Sequence, residues 1–145
     1  MSKVFRGFIF VMLAGVLLAA CSPARSGPVT DNPYGPQSGD ASLVRDEIQI
    51  VSAAVVRSTG TPSTSTLELA YFLPTPCHQF RLTVSGPDGS SRITVDAYAL
   101  RKAEQVCALM RLATPSTASL SFGSLPNGKY TVWVNGSMAG EVTEP

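Results

Sequence analysis

The stretch Lys129-Tyr130-Thr131-Val132-Trp133-Val134-Asn135-Gly136-Ser137-Met138-Ala139-Gly140-Glu141-Val142 decides the fold class. Tyr130, Val132 and Val134 alternate with Thr131 and Trp133, the period of a strand whose side chains point to opposite faces. Asn135-Gly136 then reads as a two-residue type I′ turn, because both of its central positions need positive φ, and a second strand follows from Met138 to Val142. Trp133 is out of phase with its apolar neighbours. Either both faces of this strand are covered, or Trp133 meets solvent.

The same texture extends upstream. Ser119 to Phe122 is a short strand, and Ile93, Val95 and Ala97 alternate with Thr94, Asp96 and Tyr98. Phe80, Leu82 and Val84 alternate with Arg81, Thr83 and Ser85, and Gly86-Pro87-Asp88-Gly89 between these two segments gives a hairpin, with Gly89 expected at the positive-φ position. Leu67, Leu69, Tyr71 and Leu73 alternate with Glu68, Ala70 and Phe72, and Ile48 to Val56 is β-branched ahead of the breaker Ser58-Thr59-Gly60-Thr61-Pro62-Ser63. Arg101 to Leu112 has helix formers at helical spacing, but the β context favours a loop followed by a strand over Gln105 to Leu112. About seven short strands at regular spacing predict an all-β antiparallel sandwich.

Leu125-Pro126-Asn127-Gly128-Lys129-Tyr130-Thr131-Val132 resembles the turn and strand of immunoglobulin-like and fibronectin-type domains that carry a tyrosine corner. The resemblance implies that the Tyr130 hydroxyl bonds upstream backbone and pins the turn. Val132 stands where the immunoglobulin pattern has a cysteine, so the intersheet disulfide of that family is absent. The exported part also resembles uncharacterised small bacterial surface lipoproteins with a Pro-Cys-His segment and a terminal Tyr-Thr-Val-Trp-Val-Asn-Gly hairpin, a likeness that brings no activity with it.

Ahead of these strands the composition changes twice. From Ser22 to Ser42 the chain holds Pro23, Pro28, Pro33 and Pro36 among Gly and Ser, with Val29 and Tyr34 as its larger apolar residues, which reads as a solvated tether. Before it, Lys3 and Arg6 precede an uncharged apolar run from Gly7 to Ala20, the pattern of an export signal. The run ends in Leu18-Ala19-Ala20-Cys21, which resembles the lipobox of bacterial lipoproteins; in that family the cysteine thiol takes a diacylglyceryl thioether before cleavage. An uncleaved membrane helix is the competing reading of a stretch this long, and it too places the rest of the chain outside. The expected organisation is a signal over 1–20, a lipidated tether over 21–46 and a sandwich over 47–145. Cys21 carries the lipid, the bilayer is the first partner, and palmitate and other acyl chains form the anchor.

The 145 residues hold 11 Lys+Arg and 10 Asp+Glu, with 44% hydrophobic and 14% charged residues. That length supports one ordinary domain, and the balanced charge excludes the basic field of a nucleic-acid binder. Removing 1–20 takes Lys3 and Arg6 with it, so the exported chain is close to neutral.

Three cysteines are an odd number. With Cys21 assigned to lipid, Cys77 and Cys107 remain as an even pair in an oxidising compartment, where a structural disulfide is expected; no Cys-x-x-Cys spacing suggests redox chemistry. His78, the one histidine, sits beside Cys77, which leaves too few ligands for zinc. A hydrogen-bonded loop histidine is the plain reading, and contact with a ligand is the sharper one. No Gly-x-Ser-x-Gly elbow and no glycine-rich phosphate loop is present. Glu68 and Asp96 fall on polar strand positions and read as surface charges, not as a glycosidase pair. Asn135-Gly136-Ser137 matches a glycosylation acceptor, but the hairpin explains it.

These observations point to a non-enzymatic, cofactor-free envelope module. Trp133, joined by Tyr98 or Phe72 wherever they share its face, is the candidate binding patch for an envelope protein or surface ligand, and His78 is a further candidate contact. The alternative is a small protease inhibitor using a disulfide-rigidified loop such as Pro74 to His78.

Overall fold

The computed structural model describes residues 31–60, 63–110 and 113–145. The export signal and Cys21 lie outside the described residues. Eight strands form two layers: β1 (Val44–Asp46), β2 (Gln49–Arg57), β3 (Ser65–Phe72), β4 (Gln79–Ser85), β5 (Arg92–Arg101), β6 (Ser116–Ser121), β7 (Gly128–Val134) and β8 (Ser137–Glu144). One sheet is ordered β2-β3-β6; in the other, β4 and β1 both pair with β5, which continues through β7 to β8.

Period-2 alternation selects the buried faces. Leu67, Leu69 and Tyr71 of β3 and Ala118 and Leu120 of β6 meet Phe80, Leu82, Ile93, Val95, Ala97, Tyr130, Val132, Val134 and Val142 from the other sheet in one core. Tyr71 stacks on Phe80 with ring centroids 4.1 Å apart. β2 has no residue buried to this degree, and its ladder slips between Ile50 and Ser52, leaving Val51 half exposed.

Among the described residues every ladder is antiparallel except one. β5 and β7 run parallel, pairing Ile93 with Val132 and Val95 with Val134. The sandwich is therefore as expected, but its wiring departs from an all-antiparallel one. Short-range patterning fixes faces and hairpins, whereas this pairing is made by a long connection that periodicity does not encode.

Two turns form by the chemistry read from the sequence, and one does so differently. Asn135 (φ 46°) and Gly136 (φ 84°) make the β7–β8 hairpin. Tyr130 Oη donates to the Pro126 carbonyl at 2.8 Å, which is the tyrosine corner. Tyr130→Phe keeps the packing and loses this bond, so unfolding free energy should fall by about 0.5–1.5 kcal/mol in urea titration. In the β4–β5 connection Ser91 takes the positive φ (57°) instead of Gly89. The Asp88 carboxylate explains it, accepting from the Ser90 and Arg92 amides at 2.8 and 3.0 Å and so holding the chain in that conformation.

β8 of one sheet lies against β2 of the other. A Cβ on Gly140 (φ 156°) would lie 3.0 Å from Val55 Cβ. Gly140→Ala therefore combines backbone strain with a steric overlap, with an expected cost of about 1–2 kcal/mol, read as a lower thermal midpoint.

Residues 31–46, which composition assigns to the tether, are folded onto the sheet. The Asn32 side-chain amide donates to the Leu82 carbonyl at 2.8 Å, the Leu82 amide donates to the Tyr34 carbonyl at 2.8 Å, and Tyr34 packs edge-on against Phe80. Asp40, in a 3-10 turn (Asp40–Ser42), receives a two-pronged ion pair from Arg81 Nε and Nη2 at 2.8 and 3.0 Å. β1 then adds to β5, pairing Asp46 with Ala99. The partners that hold this segment lie about forty or fifty positions away, out of reach of any local window.

The strand expected over Gln105 to Leu112 does not form: Lys102 to Met110 contribute to no strand, and 111–112 lie outside the described residues. The apolar run has no alternation that would assign an inward face, and Cys107 is tied by its disulfide to Cys77 ahead of β4. Val106, Leu109 and Met110 are exposed.

Candidate functional site

β5 is the centre of the candidate site because two different strands share one of its edges. β7 takes Arg92 to Val95, and β1 takes Ala99 to Arg101. On this edge, between them, no strand among the described residues pairs with Asp96 to Tyr98, whose other edge is taken by β4. The Asn135 side chain fills part of the gap, donating from Nδ2 to the Ala97 carbonyl at 2.9 Å and accepting the Ala97 amide on Oδ1 at 2.8 Å. One amide side chain thus substitutes for a strand residue, which gives Asn135 a second role besides its turn geometry.

A groove of about 830 Å³ opens at this gap, lined by Arg45, Asp46, Glu47, Asp96 and Tyr98 on its polar side and by residues such as Ile48, Ile50, Ala53, Val134 and Met138 on its apolar side. Its charges are mostly paired. Arg45 Nη2 lies 2.7 Å from both oxygens of Asp96, and its guanidinium sits 4.0 Å above the Tyr98 ring. Glu47 is exposed and has no ion pair among the described residues. The groove offers an apolar wall beside an acidic lip.

Asp46 links the groove to the disulfide loop. Its Oδ2 accepts from Arg101 Nε at 2.7 Å and lies 3.0 Å from His78 Nε2. A carboxylate only accepts, so Nε2 carries the ring proton. In the neutral ring Nδ1 is then left to accept from the Thr75 hydroxyl, 2.8 Å away. His78 and Arg101 together hold the Asp46 carboxyl below its ordinary pKa, the His78 hydrogen bond being the larger influence. The Cys77 amide closes the chain onto Thr75 Oγ1 at 3.3 Å, and the Cys77–Cys107 disulfide lies beside it.

Hydroxyl, imidazole and carboxylate in a row have the order of a nucleophile, base and orienting acid. Thr75 and His78 are both buried, however, and each hydrogen-bonds inward. The arrangement clamps the β3–β4 loop onto β1 and β5. No group of three or more His, Cys, Asp or Glu among the described residues is disposed to hold a metal.

The aromatic candidates separate. The β5–β7 register puts Thr94 beside Trp133, so Trp133 and Tyr98 share the outer face of their sheet, about 13 Å apart along β5. Phe72 lies in β3, in the other sheet, on the face opposite core residue Tyr71. Tyr98 is 8% exposed beneath Arg45. Trp133 is half buried, with the Arg92 guanidinium 4.3 Å from its ring and its Nε1–H directed to Thr131 Oγ1 at 3.2 Å. Trp133 is thus stacked with a cation on a partly solvated face, and no continuous aromatic patch forms. The groove itself was not legible in the sequence, because it depends on β1 and β7 sharing an edge of β5.

No curated protein and no solved structure matches the chain significantly. The family model of the ORF11 beta-sandwich domain matches residues 67–143, from within β3 to the penultimate residue of β8 and just over half of the chain. With the two-layer architecture above, that match identifies the chain as a member of the ORF11 beta-sandwich domain family.

Proposed function

We propose that the chain is an exported, lipid-anchored and non-enzymatic module, which presents its β-sandwich at the outer face of a cell membrane for binding. One observation carries the reading. Lys3 and Arg6, the apolar run and Leu18-Ala19-Ala20-Cys21 stand in the order that export and thioether lipidation require. No helix among the described residues is long and apolar enough to cross a membrane.

The binding part of the proposal rests on the groove at the β5 edge, with its apolar wall and the acidic lip at Glu47. A non-catalytic role is supported by the use of His78, the single histidine, in a buried clamp. The inhibitor alternative draws less support. Its expected loop, Pro74 to His78, has Thr75 and His78 turned inward.

Cys21→Ser tests the anchor. In cells fed labelled palmitate, the parent chain is expected to carry label, and the variant is expected to lose it and accumulate at full length. Normal processing of Cys21→Ser would defeat the proposal.

A further inference from the structure

Val106 and Leu109 are 98% and 96% exposed, and Met110 is 64% exposed. Three large apolar side chains on one short loop are unusual for a surface that faces only water. The loop also has a fixed footing. Cys107 is bonded to Cys77, the Gln105 amide donates to the Lys102 carbonyl at 3.2 Å, and the Met110 amide donates to the Ala108 carbonyl at 2.8 Å.

We infer that Val106, Leu109 and Met110 form a membrane-contact tip, which enters the interfacial layer of the bilayer to which the chain is anchored. This inference rests on the lipidation of Cys21 and adds a second contact to it.

The bilayer is the occupant that the chain's own dimensions favour. Cys21 and Asn32 are separated by eleven residue steps, which span at most about 40 Å, so an acylated Cys21 keeps the sandwich close to the surface. Asn32 and Tyr34 are docked at Leu82 of β4, and the loop's footing at Cys77 lies five residues before Leu82 in the sequence, in the turn that leads into β4. The segment that follows the anchor and the apolar loop are therefore both fastened to β4 or to the turn that leads into it. Lys102 and Glu104 oppose each other in charge, Arg101 is paired with Asp46, and Arg111 adds a single positive charge to the sequence beside the tip, far short of a polybasic cluster. Apolar insertion, and not attraction to anionic lipid, is therefore the source of the contact.

Leu109→Trp places a reporter at the tip, where its exposure leaves room for the larger ring. The purified full-length-gene product is reconstituted in phosphatidylcholine vesicles, and in a second arm simply mixed with them, with acyl chains either plain or brominated. Acylation of Cys21 is read by mass on the same sample. The expected result is a blue-shifted Leu109→Trp signal that brominated lipid quenches by more than about half, with Trp133 in the parent chain little affected. Val106→Asp in the reporter background should reverse most of the quenching. Anionic lipid should strengthen binding in the mixed arm by no more than about fivefold, as expected of the one basic residue, Arg111, beside the tip.

An acylated protein whose Leu109→Trp signal stays red-shifted and unquenched overturns the inference and leaves the anchor intact. So does a signal that shifts only when a protein partner is added. An unacylated chain overturns the anchor, and the mixed arm then decides the tip: quenching there supports it, and its absence overturns it as well.

Discussion

Replacing both Cys77 and Cys107 by serine is expected to lower the unfolding free energy by roughly 3.5 to 4 kcal/mol. The bridge spans a sequence separation of 30. Opening a loop of that size returns the corresponding entropy to the unfolded chain. The footing is well prepared in the folded state, because Gln79 and Leu100 of β4 and β5 already pair close to it. The loss should therefore come mainly from the unfolded ensemble. Urea titration should show a lower midpoint with a native near-ultraviolet spectrum retained in the folded baseline. A change below about 1 kcal/mol would mean that the reduced chain keeps the two ends together by other contacts.

The second large effect is expected at Asp46. Asp46→Ala removes the acceptor of both His78 and Arg101, leaving a buried imidazole N–H without its partner. Full burial of the broken pair would place the cost at about 3–5 kcal/mol; Asp46 is about one-third exposed, so about 2–3 kcal/mol is expected. The pH dependence has a definite sign. The folded-state pKa of Asp46 is lowered, so its stabilising contribution is present above the ordinary carboxylate value of 3.8 and fades as pH falls through the folded value. Asp40, lowered chiefly by its hydrogen bond to Arg81, and Asp88, lowered by the Arg92 and Ser90 amides, titrate in the same direction. Acid unfolding below about pH 4 should thus persist in Asp46→Ala, with a shallower slope than in the parent. An unchanged slope would show that Asp46 is not coupled to folding.

These two changes test a part of the molecule that the sequence disclosed only partly. The Cys77–Cys107 bond matches the pairing expected from cysteine counting, an expectation that depended on setting Cys21 aside for lipid. The role of His78 needed coordinates: its acceptor, Asp46, lies 32 positions earlier, in a strand that the Pro- and Gly-rich composition around it conceals. β1 has three residues, and no periodicity is measurable in three. The segment before it is fixed by Asp40 and Arg81, a single long-range pair that outweighs local composition.

Strands such as β3 and β5 were readable because burial imposes alternation on Leu67, Leu69 and Tyr71 as on Ile93, Val95 and Ala97. Val106 to Met110 misled for the opposite reason: apolar character normally indicates burial, whereas these residues face outward. The Asn135-Gly136 turn was legible as geometry, but the bonds of Asn135 to Ala97 were not, because they cross from one hairpin to the edge of another strand.

The chemical state of Cys21 at the mature N-terminus decides whether the chain is lipid-anchored. Mass spectrometry of the chain purified from membranes after trypsin should yield the peptide Cys21-Ser22-Pro23-Ala24-Arg25 as the N-terminal fragment, carrying a diacylglyceryl thioether on its cysteine. A peptide beginning upstream of Cys21, or one in which the Cys21 thiol is free, would contradict the lipid-anchored reading.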